Sequence, residues 1–130
     1  MVRLVSNLAD MLAGLKPELC EDHGWAFRAL AADEALPADA FAVIRETEGL
    51  CAIIPAAAGD HRPIFARITL QVHSDVEGVG LTAAVSQALA QEGIACNVIA
   101  GLHHDHLFVP WERRGAAMVA LKKRRDDARR

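Results

Sequence analysis

The sequence has 130 residues and a mass of 14.0 kDa, with 52% hydrophobic and 24% charged side chains and a net charge of −3. A chain of this size buries enough surface to fold without a disulfide or a structural metal. No apolar run approaches the ~20 residues of a membrane span, and the N-terminus lacks the apolar core of a signal peptide. We therefore expect a cytoplasmic globular protein.

The first half of the chain is predicted to contain one helix followed by strands. Apolar residues at helical spacing mark the helix, and alternation from Trp25 marks the first strand. The predicted segments are a helix over about 6–15 capped by Ser6 or Asn7, a strand over about 25–29, a loop over 31–39, a hairpin with strands 41–45 and 50–54, and a linker over 55–63.

The second half is predicted to read strand, helix, strand, strand, helix. Residues 64–72 alternate most clearly, with Ile64, Ala66, Ile68, Leu70 and Val72 on one face of the strand. The other segments are a helix over 81–92 stopped by Gly93, strands at 94–99 and 106–109, and a last helix from Pro110 or Trp111. This order predicts an α+β fold with ferredoxin-like units, in which helices cover one face of an antiparallel sheet.

A glycine loop precedes the central helix. Gly78, Val79 and Gly80 lead directly into the segment that begins at Leu81. The first N–H groups of a helix have no partner within it, and the helix dipole is positive at this end. Such an N-terminus suits a carboxylate or another small anion. A tight turn that permits close packing is the competing interpretation of the glycines.

Four segments resemble a family of small stand-alone bacterial ACT-like proteins, which hold two ACT-type units in one chain and are similar to the ACT modules of animal cytosolic arginine sensors. The segments read ITLQVHS (68–74), VGLTAAV (79–85), CNVIAG (96–101) and HDHLFVP (104–110). The resemblance implies an ACT fold with two halves, a degenerate N-terminal half over 1–60 and a C-terminal half over 61–130. It also implies binding of an amino acid or a similar small effector.

Site residues can be carried over from this resemblance. Effectors of ACT domains commonly lie between the first loop–helix junction and the following strand. The ligand-binding residues expected here are Asp75, Val76, Glu77, Gly78, Val79, Gly80, Leu81 and Thr82 in the loop, and Asn97, Val98 and Ile99 on the strand. Backbone N–H groups near Gly80 would hold a carboxylate, and Asp75 or Glu77 an ammonium group. Solvated surface residues are the alternative for these acidic side chains.

A histidine cluster is the other candidate site. His103, His104, Asp105 and His106 are of the types that bind transition metals or transfer protons. In an extended segment, however, only His104 and His106 would share a face, and two ligands do not complete a metal site. A structural or effector-lining role is therefore favoured over a metal. Cys20, Cys51 and Cys96 lack metal or redox spacing and are expected to be buried, reduced thiols.

Three classes of function stay open. We favour a regulatory module that binds an effector and has no catalytic residues, cofactor or metal. The alternatives are a small metal-dependent or acid–base enzyme that uses the histidine cluster, and a ligand-free protein-interaction module. Exposed edge strands predict a homodimer or higher oligomer. We expect an unidentified protein target and neither nucleic-acid nor membrane partners, because the basic tail is interrupted by Asp126 and Asp127 and lacks aromatic side chains.

Overall fold

The computed structural model describes residues 7–71 and 79–130. Its elements in chain order are α1 (Leu8–Ala13), β1 (Pro17–Leu19), β2 (Trp25–Ala29), β3 (Ala42–Glu46), β4 (Gly49–Pro55), β5 (Phe65–Leu70), α2 (Leu81–Gln91), β6 (Asn97–Ala100), β7 (Asp105–Pro110), a 3-10 turn (Trp111–Arg113) and α3 (Arg114–Ala128). None of the helices within the described ranges is long and apolar enough to cross a membrane.

The seven strands form one antiparallel sheet, which is curled into a half-barrel. The strand order is β3-β4-β2-β5-β7-β6, and β1 pairs with β5 outside this path. β5 is therefore bordered on one side by β7 and on the other by both β1 and β2. β1 pairs along residues 68–70, whereas β2 meets β5 only through the Trp25–Phe65 pair. The sequence did not predict β1.

β5 divides its side chains between two faces of the sheet, as predicted. Ala66, Ile68 and Leu70 are completely buried and belong to the cluster that contacts the helices. Phe65, by contrast, packs against a separate aromatic cluster. Because successive side chains of a strand point to opposite faces, Arg67 and Thr69 lie on the same face as Phe65.

All three helices cover one face of the sheet, which confirms the predicted layer arrangement. Each contributes buried apolar residues to a single cluster with β5 and β7. The helical members are Met11 and Leu12 from α1, Leu81, Val85 and Leu89 from α2, and Ala117 and Leu121 from α3. Burial of these side chains is the main source of stability on this face.

The opposite, helix-free face carries an aromatic cluster. Trp25, Ile53 and Phe108 are buried there, with Phe27, Phe41 and Phe65 packed against them. Phe41 precedes β3 and lies over the sheet, with edge-to-face contacts to Trp25 at 5.9 Å and Phe108 at 5.5 Å between ring centroids. The helix-free face of the half-barrel is thus partly covered by its own aromatic side chains.

Capping residues determine where α1 begins and where α2 ends. The side chain of Asn7 accepts a hydrogen bond from the N–H of Asp10 and begins α1. α1 is shorter than predicted, and Pro17 already belongs to β1. Gly93 ends α2 with a positive φ of 70°, and the N–H groups of Gly93 and Ile94 bond to Ala90 and Leu89. Ile94 therefore belongs to the helix stop, which is why β6 begins at Asn97 and not at the predicted 94.

The sheet is continuous across the predicted boundary near residue 60. β1 and β2 come from the first half and pair with β5 of the second. α1 likewise shares its buried cluster with α2 and α3. The division into two ACT-like halves over 1–60 and 61–130 stays a prediction, and any such halves share one sheet and one core.

Candidate functional site

The predicted glycine loop is described only from Val79 onward; Asp75, Val76, Glu77 and Gly78 lie outside the described residues. Gly80 begins α2 with a left-handed backbone, φ +100°. A Cβ added there would approach Leu8 Cδ2 to 3.0 Å. Gly80 is therefore required for the backbone conformation, whereas the partly exposed Leu8 side chain would have to shift only by a few tenths of an ångström. Leu81 is buried in the core, and Thr82 is exposed.

The strand residues of the predicted site point to two different faces. Val98 packs against the helix-covered cluster, whereas Ile99 packs against the aromatic cluster. Asn97 lies on the same face as Ile99 because the two are separated by two positions. Asn97 and Ile99 are therefore on the face opposite α2, so the structure does not bring them together with Leu81 and Thr82. Whether either group binds a ligand stays a prediction.

Asn97 instead lines an open recess on the helix-free face, which we call the rim pocket. Its volume is about 290 Å³, and its lining residues are Phe27, Arg62, Pro63, Phe65 and Asn97. They come from β2, the segment before β5, β5 itself and β6. β2 and β6 both line this recess, although two strands, β5 and β7, lie between them in the sheet. This long-range contact explains why the sequence predicted Asn97 but not its neighbours.

A buried carboxylate fixes Arg62 at the edge of the rim pocket. Asp60 accepts hydrogen bonds from the Arg62 backbone N–H (3.0 Å), Nε (2.9 Å) and Nη2 (2.7 Å). Its side chain is only 5% exposed, against 37% for Arg62. These bonds hold the pKa of Asp60 well below its usual range. The outer nitrogen, Nη1, forms no hydrogen bond among the residues that the structure describes, so it is available to a ligand.

A second group of polar side chains on the helix-free face is less exposed than Arg62. Arg67 forms a bidentate ion pair with Glu21, which also accepts a hydrogen bond from Trp25 Nε1 at 3.1 Å. The Arg67 guanidinium lies over the ring of Phe41, 4.5 Å from its centroid. Both charged side chains are 18% exposed. Their mutual contacts satisfy both charges, so this group is a polar part of the core.

Next to this pair, three side chains form a hydrogen-bonded row. Cys20 Sγ donates to Thr69 Oγ1 at 3.1 Å, and Thr69 Oγ1 lies 2.9 Å from His106 Nδ1. Burial lowers the pKa of His106, and the nearby positive charge of Arg67 lowers it further. A neutral His106 accepts the Thr69 hydroxyl proton, which satisfies all three groups. Sequence reasoning missed this row because its members are far apart in the chain.

The histidine cluster does not assemble a metal site. His103 is exposed, and its ring centroid is 6.4 Å from that of His104. His106 faces Phe41, at 4.9 Å. Burial raises the pKa of Asp105, and the charge of His104 opposes that shift. Across residues 7–71 and 79–130, no three His, Cys, Asp or Glu side chains are placed to share a metal ion.

The cysteines are free thiols and are half-buried, where the sequence predicted full burial. Burial raises the pKa of Cys96 to about 11. A thiol with such a pKa is almost entirely protonated at neutral pH and is a poor nucleophile. The surroundings of Cys96 therefore favour an unreactive, reduced thiol.

Comparison with known proteins identifies the fold around β5 to α3. Residues 65–123 match the ACT domain. A crystal structure from Vibrio cholerae, described as the protein of unknown function VC0802 and a possible transport protein, is 38% identical. It aligns over 91% of this chain and 95% of that one, with a TM-score of 0.78. The chain belongs to the same protein family as VC0802, and its residues 65–123 form an ACT domain.

A more distant structure shows the same fold. The Agrobacterium tumefaciens protein Atu0741 is 18% identical over 79% of this chain and 84% of that chain, with a TM-score of 0.60. No curated protein matches the chain. The predicted ACT resemblance is confirmed for residues 65–123, whereas the predicted similarity to arginine sensors stays a prediction. Since ACT domains are typically regulatory, the family indicates a small-molecule-binding regulatory module.

Proposed function

We propose that this protein is a non-catalytic regulatory module that binds an amino acid or a closely similar effector in the rim pocket. The observation that carries the proposal is the combination of groups in that pocket. A guanidinium and a primary amide stand at the edge of a recess otherwise lined by two phenylalanines and a proline. Apolar walls with a few polar groups are typical of small-molecule sites.

Each polar group of the pocket has a role in this proposal. Nη1 of Arg62 offers a positive charge and N–H donors to a carboxylate. The Asn97 side chain is exposed and has both a donor and an acceptor, so its oxygen can accept from an ammonium group. The volume of about 290 Å³ is near the lower end of known ligand pockets, roughly 300–1,000 Å³. An amino acid is a ligand of suitable size.

The glycine loop is a second location for the same effector. Backbone N–H groups at Gly80, Leu81 and Thr82 would bind its carboxylate, and Asp75 or Glu77 its ammonium group. Leu81 at the start of α2 packs on the helix-covered face, whereas the rim pocket is on the other face of the sheet, so the described parts of the two locations are separate. Substitutions can therefore distinguish them.

The proposal is tested by a thermal-shift screen of the full chain against the twenty amino acids. A ligand that binds only the folded state raises the unfolding midpoint. We expect at least one amino acid to do so, and Asn97→Ala to abolish the shift. Gln87→Ala removes an exposed amide from α2 and serves as the matched control, with the shift retained. A shift that survives Asn97→Ala but disappears with Asp75→Asn and Glu77→Gln would move the site to the loop.

We also propose a homodimer or higher oligomer that passes the signal to a separate protein target. β3 and β6 form the two edges of the sheet, and each has a row of backbone groups that could pair with another chain. Light scattering coupled to size-exclusion chromatography is expected to give at least twice the 14.0 kDa chain mass. A monomer at all concentrations would contradict this part of the proposal without affecting ligand binding.

A further inference from the structure

We infer that the rim pocket selects amino acids with large apolar side chains, whose carboxylate binds Arg62. This inference rests on the proposed function and specifies the chemical class of its effector. It depends on three features of the pocket: its apolar wall, its small number of polar groups and the arrangement of charge around Arg62.

The apolar wall is built from Phe27, Phe65 and Pro63. The two rings meet edge to face, with centroids 5.4 Å apart and an interplanar angle of 76°. Both phenylalanines are only half-buried, and Pro63 is exposed. A concave apolar surface is therefore left in contact with water. A ligand side chain that covers it removes apolar surface of both partners from water, which favours binding.

Polar side chains of a ligand would find few partners in the pocket. Among the residues that the structure describes, Arg62 and Asn97 are the polar ones that line it, and the α-carboxylate and α-ammonium groups of any amino acid would occupy them. A hydroxyl or a second charge on the ligand would lose water without gaining a hydrogen bond, which is unfavourable. The pocket therefore disfavours serine, glutamate and arginine relative to leucine and phenylalanine.

The charge at Arg62 favours a carboxylate over an ammonium group as the main polar contact. Asp60 is almost fully buried, and its two oxygens accept three hydrogen bonds from Arg62. That carboxylate is consequently occupied and cannot serve a ligand cation. Within residues 7–71 and 79–130, no carboxylate lines the pocket, so the ammonium group depends on the Asn97 oxygen. Loss of the ligand carboxylate should weaken binding more than any other change of the ligand backbone.

Isothermal titration calorimetry of the full chain tests the inferred class without any substitution. We expect leucine and phenylalanine to bind at least about tenfold more tightly than serine, glutamate or arginine, because each methylene in an apolar pocket contributes about tenfold or more. Phenylalaninamide lacks the carboxylate and should bind about tenfold or more weakly than phenylalanine, since charge-assisted hydrogen bonds are the stronger ones.

Two substitutions of nearly equal size then test the wall itself. Phe27→Leu keeps an apolar side chain and should retain phenylalanine binding within a few-fold. Phe27→Asn introduces an amide of similar volume and should weaken it about tenfold or more, because the amide loses water when the ligand covers it. Unfolding midpoints without ligand establish a temperature at which both variants are folded. Equal affinities of the two variants would contradict the role of the wall.

The outcomes separate this inference from the proposed function. Polar amino acids that bind as tightly as leucine, with Asn97→Ala abolishing the binding, would overturn the apolar class and leave the regulatory function in place. Absence of binding by every amino acid would overturn both. If Phe27→Asn also converted an oligomer into a monomer, the recess would instead be a contact between subunits, and the inference would be wrong.

Discussion

The two faces of the sheet are built from different kinds of residue. The helix-covered face is aliphatic: its members from β5 and β7, such as Ile68 and Leu107, are completely buried. The helix-free face carries most of the aromatic side chains, the Glu21–Arg67 ion pair and the rim pocket, whereas Trp111 packs on the helix-covered side. Leu107 and Phe108 are neighbours in β7, and their side chains lie on opposite faces of the sheet.

This contrast separates folding from recognition. Aliphatic side chains that three helices cover have no access to solvent and contribute only stability. The opposite face has no helix over it, so its aromatic and charged groups include several that are half-exposed and can contact a ligand. Substitutions on the first face should therefore change stability, and those at the edge of the second should change binding.

The largest effect is expected from truncation on the helix-covered face. Leu107 is fully buried between the sheet and the helices, so Leu107→Ala should lower the free energy of unfolding by about 2–5 kcal/mol. Leu102→Ala is the matched control, because Leu102 is 73% exposed and such surface changes stay within about 0.5 kcal/mol. Urea denaturation measures both. Similar losses for the two variants would contradict the assignment of Leu107 to the core.

A smaller loss of unfolding free energy is expected when the ion pair of the helix-free face is broken. Glu21→Gln removes the negative charge beside Arg67 and weakens the hydrogen bonds that Glu21 accepts. Hydrogen bonds to charged groups contribute about 1.5–3 kcal/mol when they are not exposed to solvent, and we expect a loss toward the lower end of that range because both side chains keep some exposure.

The Arg28–Glu34 pair provides the comparison for this substitution. Its side chains are 32% and 30% exposed, and exposed ion pairs contribute little to stability. Glu34→Gln should therefore reduce the urea midpoint less than Glu21→Gln. The reverse order would show that the Glu21–Arg67 pair is not part of the core of this face.

Gly80→Ala should lower the free energy of unfolding by about 1–2 kcal/mol, because a side chain disfavours the left-handed backbone found there. Its Cβ would also approach Leu8. Gly115→Ala provides a control of opposite sign, since Gly115 lies in α3 with no heavy atom within 4 Å of an added Cβ; it should be neutral or slightly stabilising. An unchanged unfolding midpoint for Gly80→Ala would contradict the requirement for glycine at this backbone conformation.

Two explanations account for the glycine at position 80. Glycine at the start of a helix suggested an anion site, but the same residue satisfies a positive φ and close packing against α1. A single sequence does not distinguish these reasons, because both require a residue that has no side chain. Retained ligand binding in Gly80→Ala would favour the structural reason.

Periodic segments were predicted well because their signals are local. The alternation of β5 and the buried stripe of α2 follow from residues close together in the chain. β1, with three residues, was missed because it is too short to show a period, and it exists through its pairing with β5. The rim pocket was missed for a related physical reason: Phe27 and Asn97 are 70 positions apart in the chain and line one recess only through the arrangement of the strands.

The smallest expected effect is the pH dependence of stability that arises from His106 on the helix-free face. Burial and the charge of Arg67 lower the pKa of His106 below its ordinary value of 6.5. His106 therefore takes up a proton more readily in the unfolded chain than in the folded protein. The contribution of His106 to stability is therefore fully present above about pH 6.5 and is lost as the pH falls through the lowered pKa.

His106→Gln isolates this contribution when unfolding free energies are measured between pH 7.5 and 5. Asp105, whose pKa is raised by burial, and the other histidines remain in both proteins, so the difference between the two curves reports His106. We expect the variant to lose less stability on acidification than the wild type, although glutamine makes it less stable at neutral pH. Parallel curves would mean that His106 titrates alike in both states, and the face would then be open to solvent at the Thr69–His106 contact.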